Sequence, residues 1–243
     1  MEHSLALLID AENVSAKYIN LITDEANKKG KLNYRRVYGD WTQPQIGKWK
    51  KACTDYALTP VQQFSPVSGK SSSDFSLVID AMDILNSGKV DGFVIVSSDS
   101  DFTKLAMRLR EAGMNVIGIG EKKTPEPFIV ACDRFIYLEI LKEQDDGDAK
   151  EGEKKTKTSK TIDNVTTKLI QTLKTTIDDL ADDEGWAYLG DVGNLLQKKQ
   201  PNFDARNYGF QKLTRLIDST GKFEIQKREN QKGHLKLMYV RNK

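Results

Sequence analysis

Asp99 and Asp101 alternate with serines at the end of GFVIVSSDSDF, residues 92–102, directly after an unbroken apolar run. A turn that caps the next helix needs one of these acids at most. Two carboxylates this close repel each other, and a divalent cation removes the repulsion. Other acids stand in the same relation to apolar runs. Asp10 ends LALLID (5–10), Asp40 ends NYRRVYGD (33–40), and Asp74 opens a helical stretch after the polar loop SPVSGKSSS. In a parallel sheet the strand ends and the helix starts share one edge, so four or five carboxylates converge on a single rim. Magnesium suits such oxygen donors and keeps water and substrate phosphate oxygens in its remaining positions. The chemistry implied is phosphodiester hydrolysis, with the metal polarising the phosphate and activating water.

Each acid also has a structural reading. Asp101 could cap a helix over 102–112, Asp74 could cap its own helix, and Asp40 stands before Trp41 in a turn, where Asp is common. Asp80 and Asp83 are one turn apart on the Asp74 helix, with Asp80 about 240° around from Asp74, and read as a solvated or structural face. Asp10 resists such a reading, because a charge directly after ALLI needs a partner.

The elements that must position these acids alternate. A helix runs from strand 5–10 to about Lys29, where Gly30 closes it. Strand 33–40 leads to a helix around 44–56 and a short strand in ALTPVQQF. The helix from Asp74 to about Asn86 has apolar residues at 75, 78, 79, 82 and 85. Strand GFVIVSS leads to helix 102–112, which Gly113 stops; NVIGIG (115–120), a helical turn near 125–132 and a strand in RFIYLE follow. Continuous apolar strands separated by helices predict an α/β fold with a parallel sheet covered on both faces. This first domain spans 1–141. Residues 142–161, with blocks of charge and no apolar periodicity, read as a flexible linker. From 162 to 243 a long helix to about Leu180, helices over 188–199 and 208–218, and strands in KFEIQKRE and HLKLMYVR outline a small winged helix-turn-helix.

Composition narrows the function. Nothing in the 243 residues approaches the ~20 apolar residues of a membrane span, and Met1–Asp10 lacks the features of a signal peptide. Cys53 and Cys132 form no metal-binding spacing. A cytoplasmic protein with no membrane partner is expected. The two histidines, His3 and His234, leave little for a Ser-His-Asp triad or a histidine pair. Residues 1–141 carry 17 Lys/Arg against 18 Asp/Glu, whereas residues 198–243 carry 12 against 4. The basic end is the part suited to meeting phosphates. GIGEKK (118–123) lacks the further glycine of a dinucleotide fingerprint.

LIDAENV, GKSSSDFSLVIDAMDIL and VIVSSDSDF followed by GEKKTPEPF resemble the NYN domain family, a branch of the PIN-like nucleases. The resemblance covers about residues 3–140. It implies a Rossmann-like α/β fold and an acidic Mg²⁺ or Mn²⁺ site that cleaves RNA. By position it implies Asp10, Asp74 and Asp99 as the principal metal and catalytic acids, with Asp101 beside them. Asn13 matches a polar partner to the first acid, Lys70 a basic position for substrate phosphate, and Asp40 is a supporting acid at the same rim. Over about 162–242, GWAYLGDVGNLLQKKQPNFDARNYGFQKLTRLID and the hairpin after it resemble a LOTUS, or OST-HTH, domain. That family is linked to RNA binding, including G-rich RNA, and in some animal proteins to helicase binding. Lys198, Lys199, Arg206, Lys212 and Arg215, with Tyr208 among them, are the candidates for phosphate and base contacts.

The expectation is a metal-dependent ribonuclease, endonucleolytic and leaving 5′-phosphates, with a C-terminal RNA-binding module. An RNA adaptor that turns over slowly or not at all is the alternative, and a protein partner for the C-terminal domain stays open. An aspartyl-phosphate phosphatase ranks last, since it needs a DxD where this chain has Asp10-Ala11-Glu12.

Overall fold

The structure, a computed structural model, describes residues 3–63, 72–142, 162–229 and 236–243. The linker expected from 142 therefore lies outside the described residues, except for Lys142, which is helical. Lys70 and His234 lie outside them too. The chain divides into two units, Met1–Glu153 and Lys154–Lys243.

In the first unit the most apolar runs become the central strands. Strand β1 (Ser4–Asp10) and strand β4 (Gly92–Val96) bury Leu5 to Ile9 and Phe93 to Val96 completely. Such runs pay the cost of ordering only when both of their faces are covered, as in a parallel sheet. With β2 (Lys31–Gly39), β3 (Thr59–Gln62), β5 (Asn115–Gly120) and β6 (Arg134–Tyr137) they form one sheet in the order β3-β2-β1-β4-β5-β6, parallel throughout. Leu5, Leu7, Ile9, Val94 and Val96 pack with Ile19, Ile22 and Ala26 of α1 (Ile19–Asn27) and with Trp49 and Ala52 of α2 (Lys48–Asp55). The residues between them in the strands, Ala6, Leu8, Phe93 and Ile95, are equally buried, and α3 (Ser72–Asn86) contacts β1. Helices α4 (Thr103–Glu111), α5 (Glu126–Ala131) and α6 (138–142) complete the unit.

Helix α3 turns the other way from the face expected. Leu77, Ala81 and Ile84 are its buried residues, while Phe75 and Ile79 are 70% and 62% exposed. Apolar residues occupy both faces, so periodicity alone could not orient it. Gly113 does end α4, at φ +80°. Gly30 has a different role: a Cβ there would lie 2.2 Å from the His3 carbonyl oxygen, which accepts the Lys31 N–H.

The second unit builds on α7 (Thr167–Asp178), capped by Thr166 through the Leu169 N–H, then α8 (Leu189–Lys199) and α9 (Leu213–Ser219). The expected helix over 208–218 is shorter. A 3-10 turn over Ala205–Tyr208 ends at Gly209, with φ 83°, and regular helix resumes only at Leu213. Strands β8 (Phe223–Glu229) and β9 (Lys236–Asn242) pair antiparallel, and a short β7 (Ala187–Tyr188) adds to β9. The core joins Leu173, Ile177, Val192, Leu196, Leu216, Ile217 and Val240. Among the described residues, no helix is long and apolar enough to cross a membrane.

Candidate metal centre

The strand order of the first unit reverses between β1 and β4. In open parallel sheets, ligands bind at such a switch point, outside the carboxyl ends of the strands. Asp10 is the last residue of β1, and Asp99 follows β4 by three residues. Ile9 pairs with Val96, so Asp10 and Ser97 come side by side at the seam.

Asp10 is almost fully buried. Its Oδ2 accepts from Asn13 Nδ2 at 2.7 Å and from the Ser97 hydroxyl at 2.8 Å. Its Oδ1 accepts from the backbone N–H groups of Glu12 and Asn13. Burial still raises the Asp10 carboxyl above its ordinary value, and these hydrogen bonds only partly offset it. Ser97 is itself fully buried, and its oxygen also accepts the Asp99 N–H at 3.1 Å. One hydroxyl thus ties the two strand ends together.

One carboxylate oxygen from each of Asp74, Asp99 and Asp101 lies within 4.8 Å of the other two. Asp74 and Asp99 are half-buried and Asp101 is exposed. The expected cap goes to the other acid: Asp99, not Asp101, accepts the Asp101 N–H at 2.9 Å and caps the 3-10 turn Ser100–Phe102 that leads into α4. That leaves Asp101 without the capping job that offered its structural explanation. Three oxygen donors this close match the donor set of a hard divalent cation. Asp10 is outside this trio and joins it through Ser97.

Asp40 is occupied within its own turn. It accepts from the Thr42 N–H and hydroxyl, from Gln43 Nε2 and from Gln62 Nε2. The Thr42, Gln62 and Gln43 side chains hold its carboxyl well below the usual range. This is a structural environment, distinct from that of the trio. Asp80 takes the structural role read for it, pairing with Arg36 and accepting from the Tyr38 hydroxyl on β2. Asp83 is exposed. Both cysteines are free and buried, and burial pushes the Cys132 thiol up to about 12.

The glycines of GIGEKK are packing positions. A Cβ on Gly118 would meet the Phe135 ring at 2.5 Å and Cys132 Sγ at 2.9 Å. Gly118→Ala is expected to cost about 1–3 kcal/mol through overpacking, read as a lower denaturant midpoint with an unchanged m-value.

In the second unit the candidate RNA contacts separate into two groups. Lys198, Lys212 and Arg215 are exposed. Lys199 is paired with Asp179 Oδ2 at 2.7 Å and with Thr176. Arg206 binds Asp204 through Nε and Nη2, with both side chains largely covered. Tyr208 is buried against Phe203, which withdraws its ring from any base. Sequence reading missed a group on the small sheet, namely Trp186, Tyr188, Arg228, Tyr239 and Arg241. The alternation in KFEIQKRE and HLKLMYVR was the available signal.

The family model of the NYN domain matches residues 4–139, more than half of the chain. The chain belongs to the NYN family. The model of the OST-HTH/LOTUS domain matches residues 160–235, so the NYN unit is followed by an RNA-binding type of module. An uncharacterized protein of Methanocaldococcus jannaschii is 28% identical over 123 residues, which is 49% of this chain and 48% of that protein. The chain therefore spans about half the length of the curated relative it matches. Two solved structures are similar. A protein of unknown function from Vibrio parahaemolyticus has a TM-score of 0.47 at 19% identity, covering 55% of this chain and 91% of its own. An uncharacterized protein from Nitrosomonas europaea has a TM-score of 0.31 at 29% identity, covering 39% and 90%. The NYN unit has the α/β architecture of PIN-like nucleases, with an acidic cluster at the seam of its sheet.

Proposed function

We propose that the chain is a metal-dependent endoribonuclease that works through Mg²⁺ or Mn²⁺ held by Asp74, Asp99 and Asp101, with RNA gathered by the C-terminal unit. The meeting of those three carboxylates within 4.8 Å at the switch point carries this reading. A bound divalent cation would supply charge for the phosphate and a water of lowered pKa. The chain's own residues prepare the seat. Asp99 is fixed by its bond to the Asp101 N–H, and Ser97 and Asn13 hold Asp10 behind it. The alternative route through the RNA 2′-hydroxyl uses a general base, commonly histidine. Among the described residues the one histidine is His3, just before β1 and thus at the opposite end of that strand from Asp10. Membership of the NYN family adds the expectation that hydrolysis at this rim leaves a 5′-phosphate.

The test is incubation of purified protein with single-stranded, structured and G-rich RNAs in Mg²⁺, Mn²⁺ or chelator. Fragments with 5′-phosphates are expected with metal and none with chelator. Cleavage that persists in chelator overturns the proposal. Asp10→Asn in the same assay should lose cleavage without unfolding. Asp10's folded pKa is raised, so its charge costs stability, and this cost sets in as pH rises from 3.8 through the folded value. At neutral pH without metal, the Asn variant's melting temperature should therefore hold or rise. A drop of several degrees would show that the four hydrogen bonds to the carboxylate outweigh the relief of its burial.

A further inference from the structure

We propose that the outer face of the three-stranded sheet in the C-terminal unit is a stacking platform for unpaired RNA bases, formed by Trp186, Tyr188, Arg228, Tyr239 and Arg241. This rests on the reading that the unit binds RNA, and it names the surface and the form of RNA it selects.

Strand register places the group. Ala187 pairs with Val240, and both are fully buried in the core. Tyr188 pairs with Tyr239, one step along and so on the opposite face. Tyr239 also pairs with Gln226, and Arg241 with Glu224, on the same outward register as Arg228. Trp186 precedes β7 and comes within reach of both arginines. The planar groups form a continuous ladder. The Tyr188 and Tyr239 rings are 5.8 Å apart, and the Arg228 guanidinium lies 4.7 Å from Tyr239 and 5.1 Å from Trp186. The Arg241 guanidinium lies 4.7 Å from the Trp186 ring. Tyr188 is 38% exposed, and the rest are half-buried.

Each guanidinium already has acidic or amide neighbours at its edge. Arg241 donates to Glu224 Oε2 at 2.5 Å, and Arg228 Nε to Gln226 Oε1 at 2.9 Å. Asp182 and Glu184 stand 3.8 and 3.9 Å from Arg228. Two cations faced by three acids offer little to a phosphate. What this surface presents is flat π and guanidinium area, the chemistry on which unstacked bases settle. The attraction for the backbone comes from elsewhere in the unit, where Lys198, Lys212 and Arg215 are exposed. A paired duplex hides its base faces and gains nothing from the platform.

The experiment measures binding of the full chain, in chelator, to a short uridine-rich single strand and to a blunt RNA duplex at several salt concentrations. Tyr188→Ala should weaken single-strand binding by about ten-fold, leave the duplex unchanged and leave the salt slope unchanged. Tyr188→Phe, which keeps the ring, should bind as the unaltered chain does. If Tyr188→Ala combined with Trp186→Ala keeps full affinity, the platform is overturned, the RNA-binding reading stands, and a protein contact becomes the reading for this face. Equal losses for single strand and duplex also overturn stacking. Failure of the unaltered chain to bind either RNA overturns both.

Discussion

Asp99→Asn is expected to lower metal-dependent RNA cleavage by more than ~100-fold while the fold survives. The asparagine keeps an Oδ1 that can accept the Asp101 N–H, so the turn into α4 remains capped. What is lost is one of three charges that face a shared point, and a hard cation loses affinity with each anionic donor removed. Ser97→Ala tests the layer behind. Its hydroxyl donates to Asp10 and accepts from the Asp99 N–H, and loss of such outer partners costs roughly 10–100-fold in metal affinity or activity. The order of effects is therefore Asp99→Asn first and Ser97→Ala second. Initial rates across a Mg²⁺ or Mn²⁺ titration, with melting curves alongside, measure both. Full activity in Asp99→Asn and in Asp74→Asn would reject the trio as the site.

The second large effect is on binding. Alanine at Lys198, Lys212 and Arg215 together should reduce RNA affinity by ten-fold or more at low salt. It should also flatten the dependence of log K on log salt by about 2, from three released counterions at ~0.7 each on a single strand. Lys199→Ala is the internal control. Its ammonium is already engaged by Asp179 and Thr176, so its removal should change the slope far less. Cleavage at saturating RNA should hold in the triple variant, because every acid of the proposed site lies in the other unit. An unchanged slope would show that these three residues do not meet phosphate.

The legible part of the site was the part written locally. An apolar run that ends in Asp10 or leads to Asp99 announces a buried strand delivering an acid, and the parallel sheet puts those ends on one rim. What stayed hidden depended on choices between local options of similar strength. Asp99 and Asp101 both could cap, and the backbone path after Ser98 gave the cap to Asp99. Helix α3 offers apolar residues on two faces, and the one that fits under β1 is the smaller set with Ala81 at its centre. Tyr208 sits among basic residues in the chain yet turns inward to Phe203, because burial of a ring outweighs its neighbours' charge. The ladder on the small sheet needed the pairing of β7 with β9, a contact between residues about fifty apart that no local pattern contains.

The Ser97 to Asp10 hydrogen bond spans 87 residues of chain. Until β4 docks, β1 can pair only with β2, its nearer partner along the chain, and half of the acidic rim does not exist. A nascent polypeptide would therefore carry no cation seat until Asp101 had emerged and the sheet had closed across its middle, so cutting power would wait on the docking of β4 against β1. The same dependence runs in reverse. A cation that binds only the closed sheet stabilises it, by about 2.7 kcal/mol at a hundredfold excess over its Kd, and so acts as a rivet between the start of α3 and the turn after β4. Stripping it should quicken amide exchange in the first turn of α3 and in the turn after β4 more than in β2 and β3, which carry none of its ligands.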